Sequence, residues 1–284
     1  MRVAVTGATG LIGTRLSAAL RARGDEVTAI SLRSGPPPLE ALTGANAVVH
    51  LAGEPVAQRW TKGARERIRS SREAGTRGLV DAIAAADPRP GVLVSASGVG
   101  YYGSRADELV DEDAAPGGDF LAQVCVAWER EAQAATRHGL RVVTIRTGVV
   151  LDRKGGALAK MLPPFRLGIG GPVAGGRQYL PWIHIDDLVG IYLAAIDNPA
   201  WTGPVNATAP EPVTNAAFSK ALGRALRRPA FLPVPALAIR ALYGDMAEIV
   251  TEGQRAVPRR ALELAYEFGH PDLDEALAAS LRRD

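Results

Sequence analysis

Three glycines near the start of the chain have the spacing of a phosphate cradle: "TGATGLIG" places Gly7, Gly10 and Gly13 three residues apart. Val3 and Val5 read as a buried strand, and Leu11, Ile12, Leu16, Ala19 and Leu20 recur at helical spacing, so the glycines occupy a strand-to-helix turn. There Gly7 permits the tight turn. Gly10 lets the backbone meet a pyrophosphate with no Cβ in the way, and Gly13 lets the helix pack closely on the strand. The free N–H groups at the helix start then face the anion, and Thr9, Leu11 and Ile12 share the turn as further expected cofactor contacts. On spacing alone, a tight turn with no ligand is the alternative.

The end of the second strand decides which dinucleotide is expected. An enzyme specific for NAD places a carboxylate there, on the ribose 2′-hydroxyl, about twenty residues after the glycines. This chain reads "SLRSG", with Arg33 and Ser34 in that place, while Asp25 and Glu26 lie at the strand's other end. A guanidinium can grip a 2′-phosphate with a charge-assisted bidentate contact, so NADP(H) is favoured over NAD(H). A solvated surface arginine is the alternative. His50, His138 and His270 show no metal-ligand spacing, and the sequence reveals no His/Cys/carboxylate cluster, so no metal is expected.

The elements that must hold these residues alternate. "EVTAISL", "NAVVHLAG", "GVLVSASG" and "RVVTIRTGVVL" read as strands, with long helical stretches at "ERIRSSREAGTRGLVDAIAAA" and "FLAQVCVAWEREAQAATRHG" between them. Alternation of this kind implies an α/β fold, a parallel sheet with helices on both faces and ligands at the carboxyl ends of its strands. Beyond about Gly155, Gly- and Pro-rich loops and short helices suggest a smaller lobe closing over the strand ends. The expected division is residues 1–154 for nucleotide binding, with part of 180–200 packing back on it, and 155–284 for a smaller substrate lobe.

Composition excludes several classes. With 284 residues, 47% hydrophobic and 22% charged, the chain suits a globular enzyme, and a net charge of +3 gives no reason to expect nucleic acid or membrane partners. Cys125 is the only cysteine, so no intramolecular disulfide can form. No signal peptide or membrane-length apolar run is seen, and a cytoplasmic protein with a small-molecule substrate is expected.

The motifs "TGATGLIG", "HLAGEPV", "SASGVGYYG" and "PWIHIDDL" together resemble the extended short-chain dehydrogenase/reductases. The further words "AWEREA", "PFRLGIGGPVAGGRQYLPWIH" and "TEGQRAVPRRALE" are similar to the atypical branch known as epimerase family proteins, or SulA-like sugar-nucleotide epimerases. The resemblance implies a Rossmann-like doubly wound sheet with a smaller, mostly helical C-terminal lobe. It implies cofactor contacts from Leu51, Ala52 and Gly53, and from Arg72, although Arg65, Arg69 and Arg72 share one helix face and otherwise read as solvated. A homodimer paired through two helices is compatible with it. Inhibition of cell division, suggested by the SulA label, has no support from individual residues.

Catalysis is where the sequence departs from that resemblance. The family's Tyr-x-x-x-Lys pair should lie on the helix before "RVVTIRTG", and registering on Glu129 puts Leu121 at the tyrosine position and Cys125 at the lysine position. Neither can exchange a proton as that pair does. Ser97, Tyr101 and Tyr102, at the end of the fourth strand, are the expected substitutes, with Tyr102 preferred as the acid because it precedes a glycine where extended relatives carry a tyrosine. In "GGRQYLPWIHIDDL", Arg177, Trp182 and His184 are weaker substrate candidates, and Asp186 or Asp187 is expected to cap the next helix. Two functions follow: an NADP(H)-dependent oxidoreductase or epimerase acting on a small carbonyl or sugar-like substrate, or a regulatory protein that binds NADP(H) without turnover.

Overall fold

The computed structural model describes residues 1–33 and 35–282, so Ser34 lies outside the described residues. Six strands form one sheet: β1 (Arg2–Thr6), β2 (Glu26–Ile30), β3 (Ala47–His50), β4 (Val92–Gly98), β5 (Arg141–Thr147) and β6 (Gly203–Ala207). All pair in parallel, in the order β6–β5–β4–β3–β1–β2. Runs such as Ala47–His50 and Val142–Ile145 are buried on both faces, which explains why they read as continuous apolar strands rather than alternating ones.

Helices cover both faces. Leu16 and Leu20 of α1 (Leu11–Ala22) form one core with β1, β3 and β4. On the other face, Leu79, Val80 and Ile83 of α2 (Lys62–Ala85) and Ala132 of α3 (Phe120–Gln133) bury Ala4, Val48 and Leu93. The α/β, Rossmann-like doubly wound architecture expected from the sequence is therefore present. The chain reverses direction across the sheet between β1, β2 and β3, which opens a crevice beside the glycine turn.

The second half contributes α4 (Gly156–Arg166), α5 (Ile185–Asp197), α6 (Asn215–Leu226) and α7 (Ala236–Tyr243). Ile185, Leu188, Ile191 and Tyr192 of α5 join the α1 core. Residues 203–207 supply β6 itself, so the sheet draws on chain past residue 154. A separate core joins Leu158, Leu162, Phe165, Phe218 and Leu222 to Leu277 of a final helix, Leu273–Leu281.

Polar contacts cross from the first half to α4, to α7 and to the turn just after α7. Lys160 Nζ donates to the Ala57 carbonyl at 2.8 Å, and Arg59 Nη1 to the Ala241 carbonyl at 3.0 Å. Arg65 pairs with Asp245 at 2.5 Å.

Candidate functional site

Each glycine of the turn has its own geometric reason. Gly7 takes a φ of +70°, favoured by glycine, and a Cβ there would lie 2.8 Å from the Leu51 carbonyl carbon. A Cβ on Gly13 would stand 2.2 Å from the Gly7 carbonyl oxygen, so this glycine permits helix α1 to meet β1. Gly10 is different, because its Cβ would approach only the Gly7 oxygen, at 3.3 Å, and would otherwise project into open space. Gly10 caps α1 with its backbone, and no acidic residue occupies the first turn. The turn therefore offers N–H donors and a positive dipole end to an anion, as a dinucleotide pyrophosphate requires.

A cleft of about 750 Å³ begins at this turn, where Gly7, Gly10, Leu11, Ile12, Gly13 and Leu51 form its floor. It continues past Val149 and Gly156 to α4, α6 and α7. A smaller chamber of about 330 Å³ shares Val56, Gly148 and Val149 with it and reaches Ser97, Leu121 and Cys125. Thr9 is exposed on the turn, and Ala52 and Gly53 continue the segment after β3.

A buried hydrogen-bond chain holds that segment. Thr6 Oγ1 accepts the N–H groups of Leu51 at 3.2 Å and Ala52 at 3.3 Å, so its own proton goes to His50 Nδ1 at 2.7 Å. His50 Nε2 then donates to Thr76 Oγ1 at 2.9 Å. Burial, with Arg72 nearby, pushes the His50 imidazole down to about 3, so the ring is neutral and this tautomer stands.

Arg72 is buried, and its guanidinium lies over the Trp128 ring at 4.8 Å. Its Nη1 donates to the carbonyls of Glu54 at 3.0 Å and Ile68 at 3.2 Å, and a Cβ on Gly53 would meet its Cζ at 3.2 Å. Of the three arginines on this face, Arg72 is thus the one that leaves solvent, and it lines the smaller chamber. Arg33 stands exposed after β2, and residues 31–38 of that segment include no carboxylate.

Ser97 lines the smaller chamber and donates to Glu129 Oε1 at 2.7 Å. Glu129 in turn holds Arg146 by two bonds, 2.9 Å from Nε and 2.8 Å from Nη2. Sequence reading used Glu129 only as a register mark and passed over Arg146, although an arginine inside an otherwise apolar strand such as "RVVTIRTG" signals a buried ion pair. Leu121 and Cys125 occupy the chamber wall, and burial together with Glu129 pushes the Cys125 thiol up to about 12, so it is not a thiolate nucleophile.

The tyrosines are placed otherwise than expected. Tyr102 is fully buried, donates to Asn206 Oδ1 at 2.7 Å and accepts from Arg146 Nη1 at 3.0 Å. Its phenol is pushed up to about 12 by burial. Tyr101 packs edge-on against it, beneath the Arg146 guanidinium at 3.5 Å. Neither lines the cleft or the chamber, because the helical turn Val99–Tyr102 directs both rings back into a small core with Val110 and Ala256.

The candidates of the second lobe also lie off the site. Arg177 is exposed and outside both cavities, while Trp182 is buried and donates from Nε1 to the Glu211 carbonyl at 3.2 Å. Their neighbours Gln178, Tyr179 and Leu180 line the chamber instead. His184, not Asp186 or Asp187, caps α5: its Nδ1 accepts the Asp186 N–H at 3.2 Å. Asp187 accepts the N–H groups of Gly269 at 2.6 Å and His270 at 2.9 Å.

This fold-back creates a His184–Asp186–His270 cluster that the sequence did not reveal, with ring centroids of the two histidines 3.9 Å apart. Burial and the neighbouring His270 lower the pKa of His184. Its Nδ1 lone pair is already committed to the helix cap, so a metal ligated there would have to displace that bond.

Residues 3–207 match the NAD dependent epimerase/dehydratase family, and residues 234–280 match a domain of unknown function. The chain is 41% identical to the chloroplastic epimerase family protein SDR39U1 homolog of Arabidopsis thaliana, covering 99% of this chain and 87% of that protein. It is 43% identical to the epimerase family protein Mb2239 of Mycobacterium bovis, over 99% and 98% of the two chains. The crystal structure of human epimerase family protein SDR39U1 with NADPH superposes with a TM-score of 0.91 at 39% identity, over 98% of each chain. With the glycine turn, the parallel sheet and the helical order in agreement, this chain belongs to the NAD dependent epimerase/dehydratase family.

Proposed function

We propose that the protein is an NADP(H)-dependent oxidoreductase that interconverts an alcohol and a carbonyl at Ser97. The observation that carries the cofactor choice is the end of β2, where Arg33 stands exposed and the following residues 31–38 include no carboxylate. The NADPH held by the human relative supports the same choice. The residues present fit the nucleotide: Gly10 leaves open the space a pyrophosphate needs, the start of α1 supplies donors, and Arg33 would hold the 2′-phosphate.

When bound, the nicotinamide supplies or accepts the hydride. Because the Ser97 proton is directed to Glu129, the Oγ lone pairs remain for a substrate hydroxyl. As the carbinol carbon gives up its hydride, the hydroxyl proton passes to Ser97 Oγ while the Ser97 proton passes to Glu129. Carbonyl reduction runs the same steps backwards. Arg146 fixes the Glu129 carboxylate through two bonds, so the relay is in place before substrate arrives.

Leu121 and Cys125 in the chamber wall favour a second reading, nucleotide binding without turnover. Titration with NADPH and NADH, followed by fluorescence, separates the cofactors. NADPH is expected to bind at least tenfold tighter, and Arg33→Ala to remove that preference while leaving NADH affinity unchanged. Tighter NADH binding by the unmodified protein would overturn the cofactor assignment. NADPH binding with no turnover of any alcohol or carbonyl would favour the second reading.

A further inference from the structure

The walls beyond the nucleotide turn have an unusual charge balance for a site that handles a phosphorylated sugar. In the larger cleft, Lys160 is the only charged side chain among the described wall residues, and its Nζ is engaged with the Ala57 carbonyl at 2.8 Å. In the smaller chamber Arg72 is the only cation among the described wall residues, and its Nη1 is turned into the Glu54 and Ile68 carbonyls. The carboxyl side chains in that wall are Asp119, Glu248 and Glu252. A diphosphate in this chamber would face three carboxyl side chains in the wall against one buried guanidinium, itself stacked on Trp128 and bonded through Nη1, a balance that disfavours anions.

The same walls are otherwise built for apolar matter. Phe165 and Phe218 form the inner side of the larger cleft, and Ile239, Leu242 and Ile249 form its outer side. Leu242 is 66% and Ile249 42% exposed, although both face the cleft. Large exposed apolar side chains gathered around a concavity mark surface that a ligand covers.

We propose that the substrate is an uncharged alcohol or ketone with a hydrocarbon chain, its oxygen at Ser97 and its chain along α4 and α7, and not a nucleoside-diphosphate sugar. The inference rests on the oxidoreductase reading for the reacting carbon, which exchanges a hydride with the nicotinamide while the hydroxyl proton moves through Ser97 to Glu129.

Calorimetric titration of the full chain, with and without NADP⁺, tests it using 2-decanone, 2-butanone and UDP-glucose as probes. Each methylene that leaves water contributes about fourfold in affinity at full burial. 2-Decanone is therefore expected to bind at least a hundredfold tighter than 2-butanone, and UDP-glucose more weakly than 2-decanone. Ile239→Glu and Leu242→Glu lie on a helix with no fully buried residue, so the fold should survive; each should cost at least tenfold in 2-decanone affinity with NADPH affinity unchanged. Affinity independent of chain length, tighter binding of UDP-glucose, or no effect of either variant would overturn the inference. Failure of NADPH to bind would instead remove the oxidoreductase reading, while the chain-length series on the nucleotide-free protein still decides the apolar site.

Discussion

Ser97 owes its candidacy to its partner: Glu129, thirty-two positions away in sequence, takes its proton at 2.7 Å. Ser97→Ala should lower kcat by about a hundred- to ten-thousandfold, the usual loss for a proton-transfer group, with NADPH affinity retained; an unchanged kcat would refute the relay. Tyr102→Phe should behave in the opposite way. It strands the Asn206 oxygen and removes an acceptor from Arg146, so urea denaturation should show about 1–3 kcal/mol of lost stability with turnover preserved. The sequence placed Ser97 correctly at the end of β4 because strand ends are legible from local pattern. It misplaced Tyr102 because the hydroxyl's partners, 104 and 44 positions away, are set by the fold alone.

Between elements, the glycine turn separates packing from binding. Gly13→Ala forces a Cβ against the Gly7 oxygen and should weaken the fold itself, whereas Gly10→Val should keep a native circular dichroism spectrum and lose NADPH binding. Equal NADPH affinity in folded Gly10→Val would place the nucleotide elsewhere. This turn was fully legible, since strand, glycines and helix are contiguous. The clasp of β1, β3 and α2 by Thr6, His50 and Thr76 was not, because it joins residues 44 and 26 positions apart. It has a pH signature. The unfolded histidine takes a proton below about 6.5, while the folded one does so only near 3. The neutral ring's contribution is therefore complete above pH 6.5 and is lost as pH falls from there towards 3, at up to about 1.4 kcal/mol per pH unit. His50→Asn should flatten the acid side of the stability profile by close to one proton; an unchanged slope would mean the ring is not held neutral.

For the molecule as a whole, the lobes are joined by chain that returns late. Residues 203–207 complete the sheet, and Asp187 gathers the segment before the last helix through Gly269 and His270. Neither was legible, since "GPVNA" is short and Gly/Pro-bearing, and an aspartate near a helix start reads locally as a cap. Asp187→Ala should release residues 266–281 to limited proteolysis before global unfolding; protection equal to that of the parent would count against the clasp. The first half and the outer wall of the cleft meet, in turn, through Arg65–Asp245 and the arginine and lysine contacts to the carbonyls of Ala241 and Ala57. An exposed pair of this kind holds by only about 0–1 kcal/mol and is screened by salt. Met246, Tyr243 and Val250 also pack there with Trp60, Ile68 and Val124, so salt should loosen the charged part of this joint and leave its apolar part in place. Where opening of the joint limits turnover, kcat should climb modestly with ionic strength, and Arg65→Ala should remove most of that salt dependence.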